Sequence, residues 1–107
     1  MLVELSIIPV GSNPHTSAEL AKALRLIDAS GLLYRLTPSG TCIEGEWDTV
    51  MPLVRRCHER VRKSAAHIIT MIKIEDDEDE RHKLTRNIAS VEEKAGTRWR
   101  GRTNAPA

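Results

Sequence analysis

The sequence predicts an α+β fold in which one four-stranded antiparallel sheet carries the helices. Segments of strand character alternate with amphipathic segments of helical period along most of the chain. A turn-forming Pro-Ser-Gly stretch joins the two middle strand segments as a hairpin. The length of 107 residues and a hydrophobic content of 40% are sufficient for a single domain with one core.

The first half of the chain predicts a strand, a helix and a hairpin. Residues 2–9 alternate in hydrophobicity and end in proline, as expected for a strand. A capping-box pattern opens a helix over residues 17–30, and Gly31 ends it because glycine tolerates positive φ. Residues 32–37 and 41–46 predict the two strands of the hairpin.

The second half predicts a helix, a strand and a further helix. Hydrophobic residues recur at helical spacing over residues 49–63, with Asp48 as the expected cap. Residues 67–74 are rich in β-branched side chains and form the strongest strand candidate. The six acids at 75–80 would complement the positive end of a helix over residues 79–95.

The resulting order β-α-β-β-α-β with one extra C-terminal helix is the ferredoxin-like arrangement. We expect a domain over residues 1–95 and a basic, flexible tail over residues 96–107, of which residues 97–107 should be dispensable for folding. Helices on one side of the sheet would leave the other side bare and too apolar for water, which indicates an oligomer or ligand interface. The residues of the fourth strand on that side are either Ile68, Thr70, Ile72 and Ile74 or His67, Ile69, Met71 and Lys73.

Composition excludes several classes of function. Aromatic residues make up 3% of the chain, so a surface of stacked rings for single-stranded nucleic acid is not expected. The net charge of +1 gives no overall attraction to nucleic acid or membranes. The two cysteines and four histidines show no metal-ligand spacing, and reduced thiols suit a cytoplasmic protein, so we expect no metal and no cofactor.

Two segments offer polar groups for a small ligand. Thr16 and Ser17 open a helix whose N-terminal N–H groups suit an anion or a polar heterocycle, although a simple capping role is the alternative. Glu44 precedes Gly45, a residue that marks a bulge or a close approach of a ligand. A carboxylate there could accept hydrogen bonds from an aminopyrimidine or balance a cation, unless it is simply a solvated acid of an edge strand.

The hairpin adds three further candidates. Thr37 and Thr41 flank the turn and could present hydroxyls to a small ring, or could serve only turn hydrogen bonding and strand propensity. Tyr34 is the only tyrosine and could stack on a pyrimidine or cover the edge of the core.

Several stretches together resemble a known family. The opening strand VELSIIPVG, the helix start TSAE, the hairpin YRLTPSGTCIEGEWD and the strand HIITMIKIEDD lie in the same order as in the small, ferredoxin-like thiamine-binding family of conserved proteins. The resemblance covers about residues 1–95 and contains no catalytic signature. It implies a tetramer in which sheets pair and stack their open faces, and a tandem-domain relative binds thiamine and its hydroxymethylpyrimidine moiety.

The expected function is therefore non-catalytic binding of thiamine or a hydroxymethylpyrimidine-type precursor by a cytoplasmic homotetramer. The candidate ligand residues are Thr16, Ser17, Tyr34, Thr37, Thr41 and Glu44. An enzyme acting on a small phosphorylated or heterocyclic metabolite is the alternative, but no constellation of catalytic residues is evident. An RNA-binding module ranks last, because the first and third strands lack the aromatic residues that stack on bases.

Overall fold

The computed structural model describes residues 1–11, 16–78 and 82–96. Its elements are β1 (Leu2–Pro9), α1 (Thr16–Ala29), β2 (Leu33–Thr37), β3 (Gly40–Glu44), α2 (Trp47–Arg62), β4 (Ile68–Glu75) and α3 (Lys83–Ala95). The four strands form one antiparallel sheet in the order β2-β3-β1-β4. The predicted ferredoxin-like arrangement with an extra helix is confirmed, and the expected tail from residue 97 onward lies outside the described residues.

The core lies between the sheet and the pair α1 and α2. From the central strand β1, Val3, Leu5 and Ile7 point into it and are at most 6% exposed. Their partners are aliphatic side chains of both helices and β3, namely Ala23, Ile27, Ile43, Val50, Leu53, Val54 and Val61, together with Cys57. Burial of an aliphatic side chain of this size stabilises a fold by about 1.5–3 kcal/mol, so the core needs no phenylalanine.

The expected start of α2 is wrong, and the described start of α3 differs from the expected one. Helix α2 begins after Glu46, which has extended backbone angles and makes no side-chain cap, and Asp48 lies within the first turn instead. Helix α3 begins after His82, which has a left-handed backbone, and its first turn contains no acid. The expected start at residues 79–81 lies outside the described residues. The acid Glu75 ends β4 rather than opening a helix.

The register of β4 on β1 decides which of its residues lie on the open face, the side of the sheet away from α1 and α2. Ile69 pairs with Ile8 and Met71 pairs with Ser6, so these four residues share that face. Ile69 is 47% and Met71 55% exposed. Of the two expected sets, the one that contains Ile69 and Met71 is therefore on the open face.

The open face is not entirely bare, because α3 lies at one end of it. Glu75 pairs with Leu2 and is thereby an open-face residue. The Nζ of Lys83 lies 3.3 Å from Oε1 of Glu75 and 3.2 Å from Oδ2 of Asp77, and Nδ2 of Asn87 donates to Oε2 of Glu75 at 3.1 Å. These bonds fix α3 at the end of β4, where it also contacts β3. Its apolar residues Ile88 and Val91 remain exposed.

Unfolding should become easier at alkaline pH because of Cys57. This thiol is fully buried, and desolvation raises its pKa to about 11. In the unfolded chain the pKa of a cysteine thiol is about 8.5. The unfolded state therefore loses its proton first, and the stabilising contribution present below about pH 9 falls by roughly 1 kcal/mol per pH unit up to about pH 11.

Urea unfolding from pH 7 to 11 would measure this loss, with Cys57→Ala as the matched control. The variant should have a lower free energy of unfolding at pH 7, because a buried side chain is truncated. Its stability should then fall less steeply than that of the parent above pH 9. Parallel profiles for the two proteins would contradict the assignment.

Candidate functional site beside the hairpin

A cavity of about 450 Å³ lies between α1 and the sheet, at the tip of the β2–β3 hairpin. The size falls in the range of about 300–1,000 Å³ that is typical of small-molecule sites. It is lined by Leu5, Ser6, Ile7 and Ile8 of β1, by Ser17, Leu20, Ala21, Ala23, Leu24 and Ile27 of α1, and by residues 36–41 of the hairpin.

The hairpin tip is held against β1 by local hydrogen bonds. The hydroxyl of Thr37 donates to the carbonyl oxygen of Gly40 at 3.0 Å, which tightens the turn. The hydroxyl of Ser6 donates to the carbonyl oxygen of Ser39 at 2.6 Å. A Cβ atom on Gly40 would lie 2.6 Å from the carbonyl oxygen of Leu5, so only glycine allows this approach. The tip therefore forms a fixed wall of the cavity.

The described lining of the cavity is apolar and uncharged. Its described polar residues are Ser6, Ser17, Thr37, Ser39 and Thr41, of which Ser6 carries its side chain on the open face, and none is an acid, a base or a histidine. Transfer of an unpaired charge into such a lining is unfavourable, whereas a neutral polar ring could exchange hydrogen bonds with hydroxyls and peptide groups. The cavity is thus suited to an uncharged, flat heterocycle.

The structure brings three of the expected ligand residues together. Ser17, Thr37 and Thr41 all line the cavity, and Thr41 is 8% exposed. Thr37 makes the turn hydrogen bond that was its alternative role. Its hydroxyl proton is donated to the carbonyl oxygen of Gly40, so the hydroxyl can only accept a hydrogen bond from a ligand. The backbone of Thr16 begins α1, and its side chain lies outside the described residues.

Tyr34 does not line the cavity as the structure describes it. Its hydroxyl donates to Oδ1 of Asp28 at 2.7 Å, and this hydrogen bond to the carboxylate raises the pKa of the phenol. The ring is packed against the core. In this structure Tyr34 therefore covers the edge of the core, which was the alternative to stacking on a pyrimidine.

Glu44 lies on the other side of the sheet. It pairs with Leu2 on β1 and so belongs to the open face, whereas Thr41 and Ile43 point toward the helices. A Cβ on Gly45 would lie 2.9 Å from Cγ2 of Val50. Packing against α2 therefore accounts for the glycine without a ligand beside it.

Sequence reasoning missed the apolar wall of the cavity. Leu20 and Leu24 were not among the expected ligand residues, yet both line the cavity. Leu36 lies at the rim and is 62% exposed. The observed strand lengths agree with this position of the cavity, since β1 has 8 residues and β3 only 5, so that β1 extends beyond its neighbour.

Comparison with known proteins finds relatives of similar sequence and solved structures of similar fold. The UPF0045 protein YqgV of Bacillus subtilis is 32% identical over 96 residues, which cover 84% of this chain and 92% of that protein. The crystal structure of MJ1052 from Methanocaldococcus jannaschii superimposes with a TM-score of 0.79 at 24% identity, covering 86% of this chain and 95% of that one. A Thermotoga maritima protein provisionally assigned to thiamine biosynthesis or salvage gives a TM-score of 0.75 at 18% identity, covering 84% and 96%.

The two structural matches have the same fold as this chain, which agrees with the sheet order described above. The sequence profile of the thiamine-binding protein family matches residues 3–92, which include the described lining of the cavity and all of the four strands except Leu2. The chain belongs to the thiamine-binding protein family.

Proposed function

We propose that this protein binds thiamine or its hydroxymethylpyrimidine part, with the neutral pyrimidine ring in the cavity beside the hairpin and any thiazolium outside the uncharged lining, and does not transform it chemically. The observation that carries the proposal is the uncharged, hydroxyl-bearing lining of a cavity of about 450 Å³ in a member of this family. A substituted pyrimidine is flat and neutral, and it can both donate and accept hydrogen bonds. The apolar walls formed by Leu20 and Leu24 would cover its ring faces.

The composition of the lining also supports binding without catalysis. A nucleophilic hydroxyl needs a neighbouring base, and general acid–base chemistry needs a titratable group near the operating pH. The described lining offers hydroxyls and aliphatic groups only. The two cysteines of the chain, Cys42 and Cys57, do not belong to the described lining. Both are free thiols, which supports a cytoplasmic setting for the protein.

The open face supports self-association. Ile8, Ile69 and Met71 form an exposed apolar surface there, and such surfaces on small proteins mark interfaces. We infer a homotetramer in which open faces pack together. The described open face carries no aromatic ring on which a base could stack, since Tyr34 points toward the helices, and this supports a function without RNA.

Calorimetric titration with thiamine and with hydroxymethylpyrimidine tests the ligand. Thr41→Val removes one cavity hydroxyl at nearly constant volume and should weaken binding by about three- to tenfold, the equivalent of one hydrogen bond. Glu44→Gln is the matched control, because it changes a polar side chain on the opposite face and should leave the affinity unchanged.

Two results would contradict the proposal. Absence of binding for both compounds would reject the ligand class. A loss of affinity in Glu44→Gln with none in Thr41→Val would instead move the site to the open face. A thermal shift that grows with ligand concentration provides an independent measurement of the same affinity.

A further inference from the structure

The central strand β1 extends beyond its neighbour β3 at the cavity. Pairing with β3 covers residues Leu2–Leu5, whereas pairing with β4 covers Leu2–Pro9. Past Leu5, β3 pairs with no further described residue of β1, and the hairpin tip meets this edge through the hydroxyl of Ser6, which donates to the carbonyl oxygen of Ser39. Ile7 lies in this stretch and lines the cavity. Within the described residues, this edge of the strand therefore faces the cavity rather than a neighbouring strand.

The hydrogen bonds at the two ends of β1 show which peptide groups point to this edge. The carbonyl oxygen of Met1 accepts from the N–H of Gly45 at 3.1 Å, so residue 1 faces β3. The N–H of Val10 donates to the carbonyl oxygen of His67 at 2.8 Å, so residue 10 faces the β4 side. Peptide groups alternate along a strand, and the register with β4 is continuous. Both the N–H and the C=O of Ile7 therefore face the cavity side.

Ile7 is the last residue of β1 that can offer both groups. The next residue facing the same side is Pro9, which has no N–H and cannot donate. A second β-strand adding at this edge would therefore find one donor and acceptor pair and then a gap. A small planar ligand needs only the one pair.

We propose that the main chain of Ile7 recognises the aminopyrimidine edge of the ligand. The exocyclic amino group would donate to the carbonyl oxygen of Ile7, and the adjacent ring nitrogen would accept from its N–H. The ring thus replaces the missing strand residue in the ladder, in a plane that passes between the hydroxyls of the hairpin and the apolar face of α1. This inference rests on the proposed function and gives it a specificity, since thiamine and hydroxymethylpyrimidine share this edge.

A series of three pyrimidines tests the hydrogen-bond pattern. The 4-amino compound can make both bonds, the compound without the amino group can make one, and the 4-oxo compound places N–H against N–H and C=O against C=O. Affinity should fall by about three- to tenfold at the first step and by at least about tenfold more at the second, because the peptide groups of Ile7 would then be left unpaired. Equal affinities for the amino and oxo compounds would overturn the inference.

Nuclear magnetic resonance of the ¹⁵N-labelled protein locates the contact directly. With ¹⁵N-labelled pyrimidine bound, a coupling across the hydrogen bond should join the amide nitrogen of Ile7 to the ring nitrogen. Binding without any change at the Ile7 amide would refute the inference and leave the proposed function intact. Absence of binding by every pyrimidine and by thiamine would reject both. The amide of Val3, which faces β3 within the paired part of β1, is the internal control and should not change.

Discussion

Replacement of Gly40 by alanine is expected to lower the free energy of unfolding by about 2–3 kcal/mol, the upper part of the usual range for overpacking. The added Cβ would lie 2.6 Å from both the carbonyl oxygen of Leu5 and the hydroxyl oxygen of Ser6. The Ser6 side chain can rotate, but Leu5 is held in the ladder opposite Thr41, so the strands must separate. For a domain of this size the melting temperature should fall by roughly 10 °C or more.

Ser39→Ala is the matched control for Gly40→Ala. It changes the neighbouring residue in the same turn, which is exposed, and keeps the carbonyl oxygen that accepts from Ser6. Its melting temperature should stay within about two degrees of the parent, as for surface substitutions generally. Circular dichroism of the three proteins measures the effect, and similar melting of Gly40→Ala and the parent would show that the hairpin tip is not held against β1.

Substitution of Met71 by aspartate is expected to break the proposed tetramer. Met71 is 55% exposed in the isolated chain and lies in the middle of β4 on the open face. In an assembly that packs open faces together, the new carboxylate would be desolvated beside Ile69 and its symmetry copies without a partner. Light scattering should then report a mass near the 12.0 kDa of a single chain in place of the tetramer mass.

Leu36→Asp provides the comparison for Met71→Asp. Leu36 is equally apolar and 62% exposed, but it points to the helix side of the sheet. This variant should keep the mass of the parent while weakening ligand binding, because Leu36 lies at the rim of the cavity. A parent that already scatters as a monomer would contradict the proposed assembly, and so would a tetramer that survives Met71→Asp.

Local patterns predicted the elements of this fold well where the physical cause was local. The alternation in β1 placed Val3, Leu5 and Ile7 on the buried side, as observed. The helical spacing of Val50, Val54 and Cys57 likewise placed the buried face of α2 correctly, since side-chain period follows directly from backbone geometry. Helix starts were predicted less well, because a cap depends on the conformation of one or two residues. Asp48 and the acids from Glu75 onward illustrate this.

The candidate site could be predicted only in part. Ser17, Thr37 and Thr41 were identified from their hydroxyls near a turn and a helix start, and they meet at one cavity. Glu44 was chosen for its charge and the glycine beside it, but it lies on the other face of the sheet. Thr41 and Glu44 are three positions apart, and residues an odd number of positions apart along a strand point to opposite faces of the sheet.

The sequence by itself determined the strand and helix order, the aliphatic core and the apolar character of the open face. Each of these follows from the period and hydrophobicity of neighbouring residues. Only the tertiary structure decided two further properties. The register of β4 on β1 places Ile69 and Met71 on the open face, and the end of the β1–β3 pairing at Leu5 leaves Ile7 at the cavity. These properties depend on the register between strands far apart in the chain, which is fixed when the whole sheet closes over one core.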